Sequence, residues 1–385
     1  MEIYLDNCST TKPREEVVEK MVHFLTNEYG NPSSLHRLGF KIEKSIEEVR
    51  QIIADFLKVR KDEIYFTSGG TESNNLAIGS ILKRYKRQGN HIITTKIEHS
   101  SVLNPIKGYE AKGFKVTYLN VDRDGIISME ELKQSLREET VLVSIMQVNN
   151  EIGSIQPIWR VKDILNQRGS KALLHVDGIQ GFGKVPLDIK GWGIDAFSFS
   201  GHKIYGPKGI GGLYLDRDLK THPIILGGAQ ERGLRSGTEN VPGIMGLGKA
   251  VEIIGGNFHK ERDKAHELKS YFIDKLEEQI PHIRINSPLG EKHSPYILNI
   301  SFKYIKGEVL LHYLEDKGIY VATGSACSSK TKDKSHVLTN IGLSDEEIEG
   351  AIRICFSHEN TKEQIDYTIT VLKDSVEAIR QVTMR

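Results

Sequence analysis

The sequence has few cysteines and no closely spaced pair of them. Three occur among 385 residues, Cys8, Cys327 and Cys355. Because none lies two residues from another, the pattern argues against a zinc knuckle, a thioredoxin-type pair and a disulfide framework. Each cysteine is therefore interpreted singly, and no resident metal site is expected.

The sequence also lacks a charge excess and a long apolar run. Its 52 lysines and arginines nearly balance 51 aspartates and glutamates, which does not favour nucleic acid or an anionic membrane as the main partner. No stretch is long and apolar enough to cross a bilayer, and the opening MEIYLDN has no signal-peptide pattern. We therefore expect a cytoplasmic protein that binds a small-molecule substrate.

Two common phosphate-binding motifs are missing. No G-x-G-x-x-G follows a predicted strand, so a dinucleotide site is not expected. Residues 243–250 match the first part of a P-loop, but alanine stands where a magnesium-binding Ser or Thr is required, and no strand precedes the segment. We interpret these residues as the beginning of a helix.

Short apolar segments alternate with helix-length segments through most of the chain. Seven short buried strands are predicted, within residues 63–67, 91–95, 115–121, 141–146, 172–176, 196–199 and 212–215. Because helix-length segments separate several of them, they predict an α/β fold with a mainly parallel seven-stranded sheet. Ligands of such sheets bind beyond the carboxyl ends of the strands.

A smaller α+β domain is predicted in the C-terminal part. A long amphipathic helix is expected after Gly255 and Gly256, and it should end at Pro281. Further strands are predicted near residues 297–302, 319–322 and 351–356, and a final helix from residue 361. The length suits two domains: a large one over 15–255, and a small one from 1–14 and 256–385, which carries the segment 322–335.

A lysine follows the predicted strand that begins the stretch AFSFSGHKIYGPKGIGG. A lysine at this edge of a sheet, with its pKa lowered by neighbours or burial, can form the Schiff base that anchors pyridoxal phosphate. An exposed lysine is the ordinary interpretation of Lys203 alone. The cofactor is favoured because Ser200 and His202 can bind a phosphate, and because Asp177 and Gln180 end the preceding predicted strand.

The turn TSGGTE, which contains Gly70 and Thr71, joins a predicted strand to a predicted helix. Its glycines expose backbone N–H groups and the positive end of the helix, which suits a phosphate. Taken alone, the turn is equally well explained as a glycine turn with a Ser or Thr cap. Together with Lys203, it favours a phosphate site.

Four polar residues are candidates for holding the ring or the substrate. Asp177 can pair with a protonated pyridine nitrogen, although Asp after a strand is often only a cap. His99 can stack on the ring and transfer protons, although a lone His is more often structural. Asn150 can hydrogen-bond a carboxylate, with turn formation as the alternative. Arg353, among buried aliphatic residues, requires a carboxylate from the protein or from the substrate.

The three cysteines have different surroundings. Cys327 lies in the small, polar segment ATGSACSSKTKDKS, whose lysines favour the reactive thiolate form. Cys355 lies in the apolar alternation AIRICFS and is interpreted as an inert core residue. Cys8, in a small polar turn, is interpreted as structural filler.

The set of motifs resembles the cysteine desulfurases of the NifS/IscS type, within the class-V aminotransferases. The motifs are TSGGTESNN, IEHSSV, VNNEIG, HVDGIQ, SFSGHKIYGPKGIG, ERGLRSGTEN and GSACSS, in the family's order along nearly the whole chain. The resemblance implies fold type I of the pyridoxal-phosphate enzymes and a homodimer with sites at the subunit interface. It also implies conversion of L-cysteine to L-alanine, with the sulfur held as a cysteine persulfide.

The resemblance further implies a role for each candidate. Lys203 would hold the cofactor and move the α-proton, and Cys327 would attack the substrate sulfur. Around the ring, Asp177 would pair with the pyridine nitrogen, Gln180 would bind the ring hydroxyl, and His99 would stack on the ring. The phosphate would be held by Gly70, Thr71, Ser200 and His202, and by Thr238 from the other subunit. Asn150 and Arg353 would bind the substrate carboxylate, and Asn150 would also contact the cofactor. The sulfur acceptor would be an iron–sulfur scaffold or a tRNA-thiolation enzyme, and Cys327 could bind a cluster iron during transfer.

The chain departs from the family pattern at its opening, where Cys8 and Ser9 precede two threonines in place of the usual Ala, and at Gly70, where Ala is usual. Two alternatives stay open. One is a selenocysteine lyase or small-amino-acid aminotransferase of the same fold. The other is a catalytically silent scaffold for sulfur-transfer proteins.

Overall fold

The computed structural model describes residues 2–324 and 334–383. The predicted nucleophile, Cys327, lies outside the described residues. No helix of the described chain is long and apolar enough to cross a membrane.

A seven-stranded sheet forms the centre of the larger part of the molecule. In spatial order its strands are β2 (Ile64–Thr67), β8 (Gly211–Leu215), β7 (Ala196–Ser200), β6 (Leu173–Asp177), β5 (Thr140–Met146), β3 (His91–Thr95) and β4 (Lys115–Leu119). Strands β3 to β7 run parallel to one another, whereas β8 pairs antiparallel with both β7 and β2. The predicted fold class and mainly parallel sheet are confirmed, and the strand positions agree closely.

Helices cover both faces of this sheet. They are α1 (Glu15–Thr26), α2 (Arg37–Leu57), α3 (Gly70–Tyr85), α4 (Ser100–Glu110), α5 (Met129–Ser135), α6 (Ile158–Gln167) and α7 (Val241–Gln279). One apolar cluster joins α1, α2, α6 and α7 to one face, and another joins α3 and α4 to the other face. Burial on both faces explains why β3, β5 and β7 consist of almost uninterrupted buried residues.

Helix α7 contains both of the helical segments that the sequence predicted here, the one beginning within residues 243–250 and the one after Gly255 and Gly256. It runs without a break from Val241, and the side chain of Asn240 caps it by accepting from Gly243 N at 3.1 Å. Two glycines in a helix interior cost about 1 kcal/mol each relative to alanine, which is why Gly255 and Gly256 were expected to precede the helix. Packing on both sides of the glycine pair outweighs this propensity, since buried α7 residues occur before and after it.

The smaller part contains the chain's first and last residues. Its elements are β1 (Ile3–Tyr4), β9 (Ile283–Ile285), β10 (Ile297–Phe302), α8 (Gly307–Glu315), β11 (Ile319–Tyr320), α9 (His336–Asn340), α10 (Asp345–Glu349), β12 (Ala351–Cys355) and α11 (Lys362–Thr383). Strands β12, β10 and β9 form an antiparallel sheet, and β1 pairs in parallel with β11. Ile3 and Leu5 belong to the same apolar cluster as β10, α11 and the second half of α7.

A disulfide joins Cys8 to Cys355, with Cα atoms 5.7 Å apart. The interpretation of these two cysteines as unpaired filler and inert core residue was therefore wrong. They are 347 residues apart in sequence, and short-spacing patterns detect only local pairs. A parallel bridge between Asp6 and Cys355, with Cys355 N donating to Leu5 O at 2.7 Å, brings them together.

Candidate active site

A cleft of about 220 Å³ lies beyond the carboxyl ends of β5, β6 and β7. Its walls are Cys8, Ser9, Gly70, Thr71, His99, Ser101, Met146, Val148, Asn150, Asp177, Ile179, Gln180, Ser200, His202, Lys203 and Arg353. Ten of the residues that the sequence nominated meet here. Thr238 does not line the cleft of its own chain, and Cys327 lies outside the described residues.

Lys203 follows β7 within one turn of 3₁₀ helix. Its Nζ donates to the carbonyl oxygen of Cys8 and, at 2.8 Å, to that of Ser9. A contact between Thr11 N and His202 O, at 2.9 Å, holds the opening turn against this strand end. The amine therefore faces a wall made by residues nearly two hundred positions earlier, which no local pattern indicated.

Asp177 ends β6 with its carboxylate buried. Oδ1 accepts from Ile179 N at 3.0 Å, and Oδ2 accepts from Asn74 Nδ2 at 2.8 Å. Burial raises the pKa of Asp177, and nearby His99, these two hydrogen bonds and Lys203 oppose the rise. The site thus presents an oriented carboxylate that can accept a proton or pair with a protonated ring nitrogen.

His99 caps the beginning of α4. Its Nδ1 lies 3.1 Å from Ser101 N and 2.8 Å from Ser101 Oγ. Burial lowers the pKa of His99 and the Lys203 ammonium adds to this effect, while Asp177 acts in the opposite direction. Neither Ser101 nor Asn74 was nominated from the sequence, although both stand inside the motifs IEHSSV and TESNN.

A second cavity, of about 440 Å³, adjoins the cleft at the N-terminus of α3. It shares Ser9, Gly70, Thr71, Ser200 and His202 with the cleft. Ser200 Oγ is buried and has no hydrogen-bond partner within the described residues. Burial lowers the pKa of His202 to about 4, so this ring is neutral at pH 7. An unpaired hydroxyl beside exposed helix N–H groups suits an anion.

The glycine turn has a steric explanation. Gly69 has φ of 146°, a conformation that favours glycine. A Cβ on Gly70 would lie 2.2 Å from Cδ1 of Ile179. The isoleucine therefore fills the space that an alanine methyl would need, which accounts for the departure from the family pattern at Gly70.

Arg353 lies in the middle of β12 and is 2% exposed. Its Nη2 donates to Asp6 Oδ1 and to Ser9 Oγ, each at 2.8 Å, and its Nη1 donates to Asn150 O at 2.8 Å. Its Nε is buried without a partner in the described chain. The sequence analysis left open whether Arg353 pairs with a carboxylate of the protein or of the substrate. In the structure its partner is a carboxylate of the protein, that of Asp6.

Both described ends of the segment that contains Cys327 lie beside the cleft. Backbone groups of Ala322 and Arg353 pair with each other, at 2.6 and 3.2 Å. On the other side, His336 Nε2 lies 3.0 Å from the carbonyl oxygen of Glu98, the neighbour of His99.

Gln180 and Thr238 complete the set of predicted residues. Gln180 Nε2 donates to Cys8 O at 2.9 Å, and its Oε1 is buried without a partner among the described residues. Thr238 is exposed. The turn before it is held by Glu231, which forms a bidentate pair with buried Arg50, both N–O distances being 2.9 Å.

Comparisons with known proteins give the same family over nearly the whole chain. The family model for class-V aminotransferases matches residues 3–368. Proteins named cysteine desulfurase IscS are 44% identical over 382 residues in Dictyoglomus turgidum and 43% identical over 381 residues in Methanosarcina thermophila, covering 99% of this chain and 96% and 93% of their own. A solved NifS-like protein matches with a TM-score of 0.93 and 38% identity, over 98% of this chain and all of its own. An apo cysteine desulfurase from Thermococcus onnurineus NA1 matches with a TM-score of 0.88 and 26% identity, over 98% and 95%.

Proposed function

Because the chain belongs to the class-V aminotransferase family and is a pyridoxal-phosphate-dependent cysteine desulfurase, we propose that the cleft beyond the sheet is its catalytic site. Two buried, unpaired polar atoms support the fit to this cofactor: Ser200 Oγ beside the N-terminus of α3, and Gln180 Oε1 on the ring side. Buried polar atoms without partners are unfavourable, and a phosphate and a ring hydroxyl would satisfy them.

The cofactor residues follow from this placement. Lys203 would hold the cofactor covalently, Asp177 would pair with its pyridine nitrogen, and Gln180 would bind its hydroxyl. His99 would stack on the ring, with Asn150 also touching the cofactor, and Gly70, Thr71, Ser200 and His202 would hold the phosphate. When bound, pyridoxal phosphate supplies an electron sink for negative charge at the substrate Cα.

The substrate carboxylate binds Arg353 and Asn150. A buried guanidinium with an unpaired Nε supports this role, since a second carboxylate would add a charge-assisted hydrogen bond. Asp6 and Ser9 hold the guanidinium in place before substrate arrives.

Two groups of the chain then carry out the transfer. The Lys203 amine moves the proton from the substrate Cα. The Cys327 thiolate attacks the substrate sulfur, so an S–S bond forms as the Cβ–S bond breaks. The bonding electron pair stays with the carbon, which takes a proton to give alanine, and the sulfur remains on Cys327 as a persulfide. The described ends of the Cys327 segment, next to Arg353 and Glu98, support this assignment.

We further propose a homodimer in which Thr238 reaches the phosphate of the partner's site. One face of α1 carries Val18, Val22 and Leu25, which are 45–60% exposed, and such an apolar stripe suits a subunit contact. Sedimentation that shows an active monomer would contradict the dimer.

Three expectations stay predictions from the sequence. They are the division into domains 15–255 and 1–14 with 256–385, an iron–sulfur scaffold or tRNA-thiolation enzyme as the sulfur acceptor, and a cytoplasmic location.

The central test replaces Cys327→Ala. We expect this variant to keep the visible absorption of the bound cofactor and to release neither sulfide nor alanine from cysteine. Cys8→Ala is the control for loss of a cysteine that lines the cleft: it removes the disulfide with Cys355 and lowers stability, and the folded variant should keep turnover. Normal turnover in Cys327→Ala would refute the nucleophile. If the wild-type protein turned over only selenocysteine, or required a keto acid, cysteine desulfuration would be refuted as its reaction. A wild-type protein that cannot be loaded with cofactor would favour the catalytically silent scaffold.

A further inference from the structure

A chain of buried hydrogen bonds connects Asp177 to His99 through two side chains. Asn74 on α3 is fully buried, and its Nδ2 lies 2.8 Å from Asp177 Oδ2 and 2.9 Å from Ser101 Oγ. Ser101 Oγ in turn lies 2.8 Å from Nδ1 of His99. Three elements therefore meet in one network: the end of β6, the second turn of α3 and the beginning of α4.

The chemistry of the donors sets the direction of each hydrogen bond. An ionised Asp177 can only accept, so the amide nitrogen of Asn74 must face it. The second hydrogen of that nitrogen goes to Ser101 Oγ, which leaves the hydroxyl hydrogen of Ser101 for Nδ1 of His99. The backbone N–H of Ser101 points to the same ring nitrogen and can only donate.

His99 Nδ1 therefore receives two donors and must carry a lone pair. In a neutral imidazole one nitrogen is protonated and the other accepts, so the proton lies on Nε2. Nε2 makes no hydrogen bond to any described residue, and His99 lines the cleft. The ring is held at one nitrogen and presents a proton at the other.

Resting on the proposed function of the cleft, we propose that Asn74 and Ser101 are positioning residues that keep the proton of His99 on Nε2 and orient the carboxylate of Asp177. In this arrangement His99 is ready to donate a proton to a group bound in the cleft. The amide of Asn74 thus couples Asp177, which would pair with the pyridine nitrogen, to His99, which would stack on the ring.

The hydrogen-bond network predicts in which direction the pH profile of kcat moves when one of its members is removed. Hydrogen bonds donated to the Nδ1 lone pair favour the neutral ring, so removing one raises the pKa of His99. The charged or titratable groups around His99 are Asp177, Lys203 and His336, and none is altered by a change at Ser101. The acidic limb of the kcat profile should therefore move to higher pH in Ser101→Ala, with a fall of about 2- to 10-fold in kcat, the value of one hydrogen bond.

The experiment measures protonation and turnover separately. With ¹⁵N-histidine in the cofactor-loaded full chain, the His99 nitrogens, assigned through the spectrum of His99→Gln, should show a bare Nδ1 and a protonated Nε2. In Asn74→Leu, Ser101 Oγ loses its donor and becomes able to accept from the ring, while the backbone N–H of Ser101 still faces Nδ1, so the fraction of His99 with a protonated Nδ1 should rise above that of the wild type without becoming the main form. Exposed neighbours provide matched controls: Asn75→Leu and Ser100→Ala should match the wild type in both spectrum and pH profile.

Two results would overturn the proposal. The first is a protonated Nδ1 in the wild-type protein, a measurement that requires no turnover and does not depend on how the variants fold. The second is a Ser101→Ala profile that falls equally at every pH, which would indicate a structural role only. A wild-type protein without desulfurase activity but with a protonated Nε2 would instead refute the proposed function and leave the hydrogen-bond assignment standing.

Discussion

Lys269 on α7 is a buried amine with no carboxylate beside it among the described residues, and replacing it should stabilise the protein. It is 2% exposed, its Nζ donates to Ser294 O at 3.2 Å, and it forms no ion pair with the residues that the structure describes. Burial lowers the pKa of Lys269 to about 7. Methionine has a similar length and no charge, so Lys269→Met keeps most of the packing and removes the cost of burying a cation.

The magnitude follows from the change in pKa. The ordinary value is 10.5, and one pH unit corresponds to about 1.4 kcal/mol, so the charged form lowers the unfolding free energy by at most about 5 kcal/mol. At and below pH 7 the full cost applies. Between pH 7 and 10.5 the unfolded chain binds a proton that the folded protein has lost, so stability rises with pH and the cost disappears. Loss of the bond to Ser294 offsets about 1 kcal/mol.

We therefore expect Lys269→Met to be more stable than the wild type by about 3 to 5 kcal/mol at pH 6, with the difference shrinking towards pH 10. Urea unfolding of the cofactor-loaded protein, followed by circular dichroism at several pH values, measures this directly. Lys260→Met is the matched control, since Lys260 is exposed on the same helix and should leave the midpoint unchanged. A Lys269→Met variant that is no more stable at pH 6, or whose advantage is the same at every pH, would refute the reasoning.

Three further predictions concern contacts that hold the site in place. Asp6→Asn removes the carboxylate from buried Arg353 and should lower the unfolding free energy by about 3 kcal/mol in a urea titration, whereas an unchanged midpoint would mean that the guanidinium finds another counterion. Glu231→Gln replaces the carboxylate that pairs with the buried arginine of α2 by a neutral amide, so it breaks the bidentate ion pair and should cost a similar amount; a midpoint within error of the wild type would contradict this. Cys8→Ser should lower stability by about 2–4 kcal/mol without reductant, and excess dithiothreitol should abolish the difference; a difference that survives reduction would exclude the disulfide as its cause.

The large sheet was predictable because the burial of its strands determines their amino-acid composition. Strands such as β5 and β7 are buried on both faces, and each therefore forms a short apolar run between polar turns. Strand β9 was not predicted, because its residues are only half-buried and its length is three residues. The continuity of α7 through Gly255 and Gly256 was missed for a different reason, since packing outweighed the low helix propensity of a glycine pair.

The sequence predicted which residues form the cleft, but it did not predict the contacts that those residues make. Lys203, Asp177 and Gln180 follow strand ends, and parallel strands bring their carboxyl ends to the same edge. The contacts of the opening turn with Lys203 and Arg353 join residues far apart in sequence. Such contacts carry no periodic or spacing signal, so the sequence alone did not indicate them.

By itself, the sequence determined the class of the fold, the edge of the sheet that carries the site, and the types of side chain available there, because burial and turn formation are local and leave a pattern in neighbouring residues. Tertiary structure alone decided the pairing of Cys8 with Cys355, the choice of Asp6 as the partner of Arg353, and the hydrogen bonds that reach His99 through Asn74. These depend on how separate elements pack together, and that packing is a property of the whole folded chain.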